Sequence, residues 1–138
     1  MSKQPPQRTM GADLRSYAYH GDLGLARHLL VEGADPNVLD EHGRSALTLA
    51  AMQGHEDMVD LLISHGAWVD PHKDYDTYQT PLSGAAQNGH LGIVKRLVTA
   101  GANYHFHSWV SQRTAENYAR ANGHDEVAAF LANLPPKK

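Results

Sequence analysis

Apolar residues along the chain gather into four short stripes, each at helical spacing and each followed by a break. Leu25, Ala26, Leu29 and Leu30 make the first, and Met58, Val59, Leu61, Leu62 and Ile63 the second. Ile93, Val94, Leu97 and Val98 make the third, and Val127, Ala128, Phe130 and Leu131 the last. Spacings of one, three and four residues keep one side of a helix apolar. The equivalent leucines Leu29, Leu62, Leu97 and Leu131 lie 33, 35 and 34 residues apart. Gly21-Asp22, Gly54-His55, Gly89-His90 and Gly123-His124 precede the stripes, and Gly33-Ala34, Gly66-Ala67 and Gly101-Ala102 close the first three. A glycine just past the last apolar residue takes the left-handed conformation that stops a helix. The pattern predicts outer helices over about 23–32, 56–65 and 91–100, and a fourth ending near Leu131.

A shorter helix precedes each of these. Asp13 to His20 is the first, and Ser45 caps the second, Ala46 to Gln53, by accepting from a free amide of its first turn. Thr80-Pro81 starts the third, with Thr as cap and Pro where a missing N–H does no harm, and Thr114 starts the fourth. A two-helix unit with a period near 33 is the signature of a stacked repeat protein. The units run over about 13–42, 43–77, 78–111 and 112–134. Residues 1–12, with Pro5-Pro6, read as a disordered lead-in, and 135–138 as a disordered tail. The connection from Gly66 to Thr80 is 14 residues, against 12 from Gly33 to Ser45 and 13 from Gly101 to Thr114. Such inter-unit tips are where repeat proteins tolerate insertions and often bind.

Gly43-Arg44-Ser45-Ala46-Leu47-Thr48-Leu49-Ala50-Ala51 and Thr80-Pro81-Leu82-Ser83-Gly84-Ala85-Ala86, with the Gly-His pairs and the Leu-Leu-x-x-Gly-Ala closures, resemble the ankyrin repeat family. The likeness covers roughly residues 13 to 133. It implies an all-α, ankyrin-type solenoid of four stacked helix–turn–helix units, with hairpin-like loops projecting between them at about a right angle. It also implies a structural hydrogen bond for His55, His90 and His124. The sequence departs from the pattern at two slots. The family's His after Thr-Pro-Leu is read as Thr48, Ser83 and Glu116, and its hairpin Gly is replaced by Tyr78 and Gln112.

Composition removes several functions. Cys is absent, so neither disulfides nor a thiolate metal site can form. Residues 1–12 lack an apolar signal core, and no run of about 18 apolar residues exists, so a soluble, cytoplasmic, monomeric protein without membrane contact is expected. The net charge is −3, but residues 35–76 alone carry nine acidic and two basic side chains. That middle disfavours nucleic acid, whose phosphates need Lys and Arg. No Gly-x-Ser-x-Gly, P-loop or His-Glu-x-x-His is present, so no catalytic residue and no cofactor are assigned.

What remains points to recognition of a protein. Trp68, Tyr75, Tyr78, Tyr104, Phe106 and Trp109 all fall between units, where exposed aromatics serve as interface anchors. Trp68 and Tyr104, beside Gly-Ala, are expected to fold back on the stack, and Tyr75, Tyr78 and Trp109 to stay exposed. By the resemblance, Tyr19-His20, Met52-Gln53, Gln87-Asn88 and Ala121-Asn122, each just before a Gly turn, face a concave groove, with Arg44, Gln79 and Arg113 near the hairpins. Met52, Gln53, Gln87, Asn88, Arg44, Gln79 and Arg113, with Asp40, Glu41, His42, Asp74 and Asp76 at the tips, make the candidate partner-binding set. The expected partner is a protein with a basic surface, held in an inhibitory or immunity-type role. Two alternatives stay open: an adaptor bridging two proteins, and a metal- or pH-responsive binder using His72, His105 and His107. No metal ligand is assigned.

Overall fold

A computed structural model of the chain describes residues 7–70, 79–106 and 112–136. Among the described residues there are eight helices and no strand. They are α1 (Gln7–His20), α2 (Leu23–Val31), α3 (Ala46–Gln53), α4 (Glu56–Ser64), α5 (Pro81–Gln87), α6 (Leu91–Thr99), α7 (Ala115–Ala121) and α8 (Asp125–Ala132). Each odd-numbered helix pairs with the next, and pairs stack as α1 on α3 on α5 on α7, with α2, α4, α6 and α8 as a second layer. The chain is the all-helical solenoid that its repeat predicts.

Side-chain size explains why the inner layer packs more closely. Ala50, Ala51, Ala85, Ala86 and Ala119 are fully buried and let the inner helices approach. The outer helices meet through larger buried groups: Met58, Val59 and Leu62 on α4, and Ile93, Val94 and Leu97 on α6. The inner layer is thus built on small side chains and the outer layer on large ones. Leu61, Ile63, Val98 and Phe130 pack on the core while staying partly exposed.

Polar groups fix where each inner helix starts. Ser45 Oγ accepts from Thr48 N at 3.2 Å. Thr80 Oγ1 accepts from Ser83 N at 3.0 Å while Ser83 Oγ accepts from Thr80 N at 2.8 Å. Thr114 and Asn117 repeat that reciprocal pair at 3.2 and 3.0 Å. Asn117, and not Glu116, therefore fills the slot of Thr48 and Ser83.

Successive units are joined at the Gly turns. His55 Nε2 bonds the Tyr19 carbonyl at 2.9 Å and His90 Nε2 the Met52 carbonyl at 3.1 Å. Each ring lies where the preceding glycine's Cβ would be: His55 against Gly21, His90 against Gly54 and His124 against Gly89. Glycine is needed there twice over, for the positive φ and for the ring. On the outer layer Arg96 ties α6 to α4 through Glu56 and Asp60, each at 3.1 Å.

Several expectations change. α1 begins at Gln7 rather than Asp13, because Met10 is buried in the core and Gly11 lies flat against Val38. Leu25, placed in the apolar stripe, is 47% exposed, since no described helix packs over its side of α2. Trp68 does not fold back; it is 53% exposed. Tyr104 does pack on the core, and its hydroxyl donates to the Pro135 carbonyl at 2.7 Å, so the chain is still tied down at Pro135, within the expected tail. Gln112 keeps the left-handed hairpin conformation of Gly43, at φ 58 against 75.

Candidate partner-binding surface

The first inter-unit tip is built around Asp40. Its amide donates to the Arg44 carbonyl at 2.9 Å and its own carbonyl accepts from Gly43 N at 3.0 Å, which closes the turn. Its carboxylate then accepts from His42 N at 2.9 Å, from Arg44 N at 2.8 Å and from Arg44 Nε at 2.9 Å. Burial pushes the Asp40 pKa up, but the Arg44 and His42 amides and the Arg44 guanidinium outweigh it and hold the carboxyl below its ordinary value. Asp40 and Arg44 are thus spent on shaping the tip. Glu41 and His42 are the side chains it presents, both exposed and 3.6 Å apart.

The inner helices end just before the Gly turns. Gln53 and Asn88 are exposed, while Met52 and Gln87 are half-buried. Met52 owes its burial to Gly84 on the next helix, over which its Cγ lies where a Cβ would stand. Asn88 Nδ2 donates to the Met52 carbonyl at 2.9 Å, alongside His90, so Asn88 and His90 of the third unit are both anchored to the second. Gln79 Nε2 donates to Gln87 Oε1, which links the residue before α5 to the last residue of that helix. At the far end Arg113 lies over the Tyr118 ring, 5.8 Å from its centre, and Arg120 pairs with Glu116 at 2.9 Å.

The candidate residues therefore divide into three groups. Met52, Gln53, Gln79, Gln87 and Asn88 are the first, in which Gln79 bonds Gln87 within the third unit and Asn88 reaches the Met52 carbonyl of the second. Glu41, His42 and Arg44 form the first tip, and Arg113 sits by the last unit. Asp74, Tyr75, Asp76, Tyr78 and Trp109 lie outside the described residues. The sequence reading passed over Tyr118, which has the same inner-helix slot as Leu49 and Gly84; that register was the available signal. Tyr19, exposed at the slot of Met52 and Gln87, belongs to the same face.

Other hollows lie elsewhere. One of about 570 Å³ runs between α4 and α6 on the outer layer, beside Ile63, Gly92 and Arg96. Another of about 330 Å³ sits at the end of the stack beside Tyr104, His105 and Glu116, and the buried His105 Nε2 has no hydrogen-bond partner. Among the described residues no three His, Asp or Glu side chains converge on one point. His72 and His107, the other members of the expected histidine group, lie outside them. No helix among the described residues is long and apolar enough to cross a membrane.

Comparison with known proteins agrees with the geometry. A family model described as ankyrin repeats in three copies matches residues 14–108. Cyclin-dependent kinase 4 inhibitor B of Bos taurus is 34% identical over 122 residues, which is 87% of this chain and 89% of that protein. The Homo sapiens protein of the same name is 35% identical over 120 residues, 86% of this chain and 83% of its own length. The inactive serine/threonine-protein kinase TEX14 of Mus musculus is 32% identical over 124 residues, but the chain spans only 8% of its length. The matched repeats and these relatives support a protein–protein binding module, and the chain belongs to the ankyrin repeat family.

Proposed function

We propose that this chain is a non-catalytic recognition module that holds a protein partner across its concave groove and loop tips, in an inhibitory or immunity-type role toward a partner with a basic surface. The observation that carries this reading is the strip Met52, Gln53, Gln79, Gln87 and Asn88. Asn88 is held to the second unit through the Met52 carbonyl and Gln87 to Gln79 within the third, while the framework slots around them are buried and apolar. Such a face offers preorganised donors and acceptors to a partner at little ordering cost. The acidic stretch from residue 35 to 76 supports the choice of a basic partner. The inhibitory role draws support from relatives of nearly the same length that are named as kinase inhibitors.

Charge and contact should separate kinetically. Tip carboxylates act at long range on association, and salt screens them within about 8 Å at physiological strength. Anchors that lose water on docking set the dissociation rate. The test is capture of partners from native extract on the immobilised full chain, followed by binding kinetics. Gln53→Arg and Gln87→Arg should each weaken the captured partner at least about tenfold, the scale expected where buried polar contacts are lost at an interface. Reversing charge at Glu41, Asp74 and Asp76 should slow association and flatten its salt dependence, and Tyr78→Ala should speed dissociation. An inhibitor retains one partner and lowers its activity. A partner bound equally well by all of these variants contradicts the groove-and-tip reading.

A further inference from the structure

The tripeptide Asn-Gly-His occurs twice, at Asn88-Gly89-His90 and Asn122-Gly123-His124, in the same turn of successive units. Glycine has no Cβ, so its nitrogen is the least hindered backbone nucleophile that can follow an asparagine. The two copies also share their geometry. Asn88 ends α5 at φ −99 and ψ 6, Asn122 ends α7 at φ −103 and ψ 11, and each is followed by a glycine at φ 76. Both asparagines are exposed, and Gly89 N and Gly123 N each donate to a carbonyl of the preceding helix at 3.2 Å.

They differ in what holds them. Asn88 Nδ2 donates to the Met52 carbonyl of the second unit at 2.9 Å, and the His124 ring of the fourth unit stands where a Gly89 Cβ would be. Asn88-Gly89 is therefore clamped from both sides of the stack. Asn122 Nδ2 donates to the Tyr118 carbonyl at 2.9 Å, within α7, and a Cβ on Gly123 would meet nothing within 4 Å. The glycine nitrogen can reach the side-chain carbon only when the asparagine ψ swings far from these helical values, so the turn must open first. Opening is a local event whose cost rises with the contacts it breaks. At Asn88 those contacts reach two neighbouring units, whereas at Asn122 the side-chain tie belongs to its own helix.

We infer that Asn122 is a self-modifying site, with water as the co-reactant. Gly123 N gives its proton to solvent base and attacks Asn122 Cγ. The new Cγ–N bond closes an imide ring, the Cγ–Nδ2 bond breaks, and Nδ2 takes a proton from solvent and leaves as ammonia. Water then adds to either imide carbonyl. The ring C–N bond at that carbonyl breaks, its electron pair returns to nitrogen with a proton, and the chain is left with aspartate or isoaspartate. Nothing is oxidised or reduced. The product puts a carboxylate in place of the donor to the Tyr118 carbonyl, at a helix end that already carries partial negative charge. Isoaspartate also adds a carbon to the backbone of the turn. Both changes loosen the end of α7, so the reaction is a clock on the last unit. This inference does not depend on any partner being bound.

The test is peptide mapping by mass spectrometry on the full chain held for weeks at physiological pH and temperature. Conversion at Asn122 should run at least about threefold ahead of Asn88, the scale of a modest difference in local opening. In urea the two should convert equally, since both copies read Asn-Gly-His. Gly123→Ala should suppress the reaction at Asn122, with circular dichroism to show that the variant folds. Asn122→Asp, which carries the charge of the product from the start, should melt below the parent chain and needs no reaction to be read. No conversion at Asn122, Asn88 level with it or ahead in the folded chain, a difference that persists in urea, or an unchanged melting midpoint in Asn122→Asp overturns the proposal.

Discussion

In the last unit Glu116 and Arg120 stand where the earlier units bury Leu14, Leu47 and Leu82, and Ala18, Ala51 and Ala86. The two charges pair with each other at 2.9 Å, on a face that no described helix covers. The first unit closes its free side differently. Asp13 replaces the buried Ala46, Pro81 and Ala115, and α1 grows to 14 residues with Met10 tucked into the core. Yet Leu25 keeps the apolar residue of its slot, and is 47% exposed where Met58, Ile93 and Val127 are 2% or less. One end of the stack is closed by charge and the other by extra helix over a face that stays partly apolar. The same slot can therefore be core or surface, and its position in the stack decides which.

The largest expected effect tests that statement directly. Met58→Ala should cost about 2–5 kcal/mol, because it removes a fully buried side chain and leaves a cavity. Leu25→Ala, at the same slot, should cost less than about 1 kcal/mol, since much of the side chain already lies in water. Denaturant midpoints of the two variants give the comparison. Equal losses mean that the first unit is covered after all.

A second pair separates backbone strain from contact between units. Gly89 and Gly123 share a φ of 76, but a Cβ on Gly89 would stand 2.5 Å from His124, whereas one on Gly123 would meet nothing within 4 Å. Both alanine variants pay for the left-handed conformation, about 1–2 kcal/mol. Gly89→Ala should lose a further 1 kcal/mol or so by forcing the imidazole away. Thermal melts of the two variants measure the difference, and the absence of one would mean that the histidine ladder adds nothing to stacking.

Smaller effects concern the two described hairpins. Gln112→Gly should stabilise the last unit by about 0.5–1 kcal/mol, by relieving a side chain held at φ 58. At the first hairpin the carboxyl of Asp40 sits below its ordinary value of 3.8, so its contribution is complete above that value and is lost as the pH falls through the depressed one. Asp40→Asn should remove that part of the acid dependence. An unchanged acid profile would mean that the tie to Arg44 contributes no stability.

The sequence reading succeeded where local chemistry decides the structure. The Thr80-Pro81 start, the Ser45 cap and the Gly turns are set by neighbours within a few residues, and the helices of the second and third units follow from them closely. It failed where distant covering decides. Leu25 looks like every other stripe leucine, because nothing local records that a stack has an end. Of the six α1 residues before Asp13 only Met10 has a large apolar side chain, and its neighbour Gly11 packs on Val38 far along the chain. Trp68 was expected to fold back from its place beside Gly-Ala, but the turn it sits in is satisfied by Asn37 from the preceding unit. The positions of Met52, Gln53, Gln87 and Asn88 at helix ends were legible through their register with the Gly turns. The tips were legible only as composition: the slot of Asp40 holds Tyr75 and Trp109 in the next two connections.

The most direct test of the account is amide hydrogen exchange on the full chain, alone and saturated with the captured partner. Binding across the groove and tips predicts added protection at the ends of α3 and α5, around Gln53 and Asn88, and in the turn from Asp40 to Arg44, with the middle of α6 unchanged. Protection confined to the outer helices, with those inner-helix ends exchanging as fast as in the free chain, would contradict it.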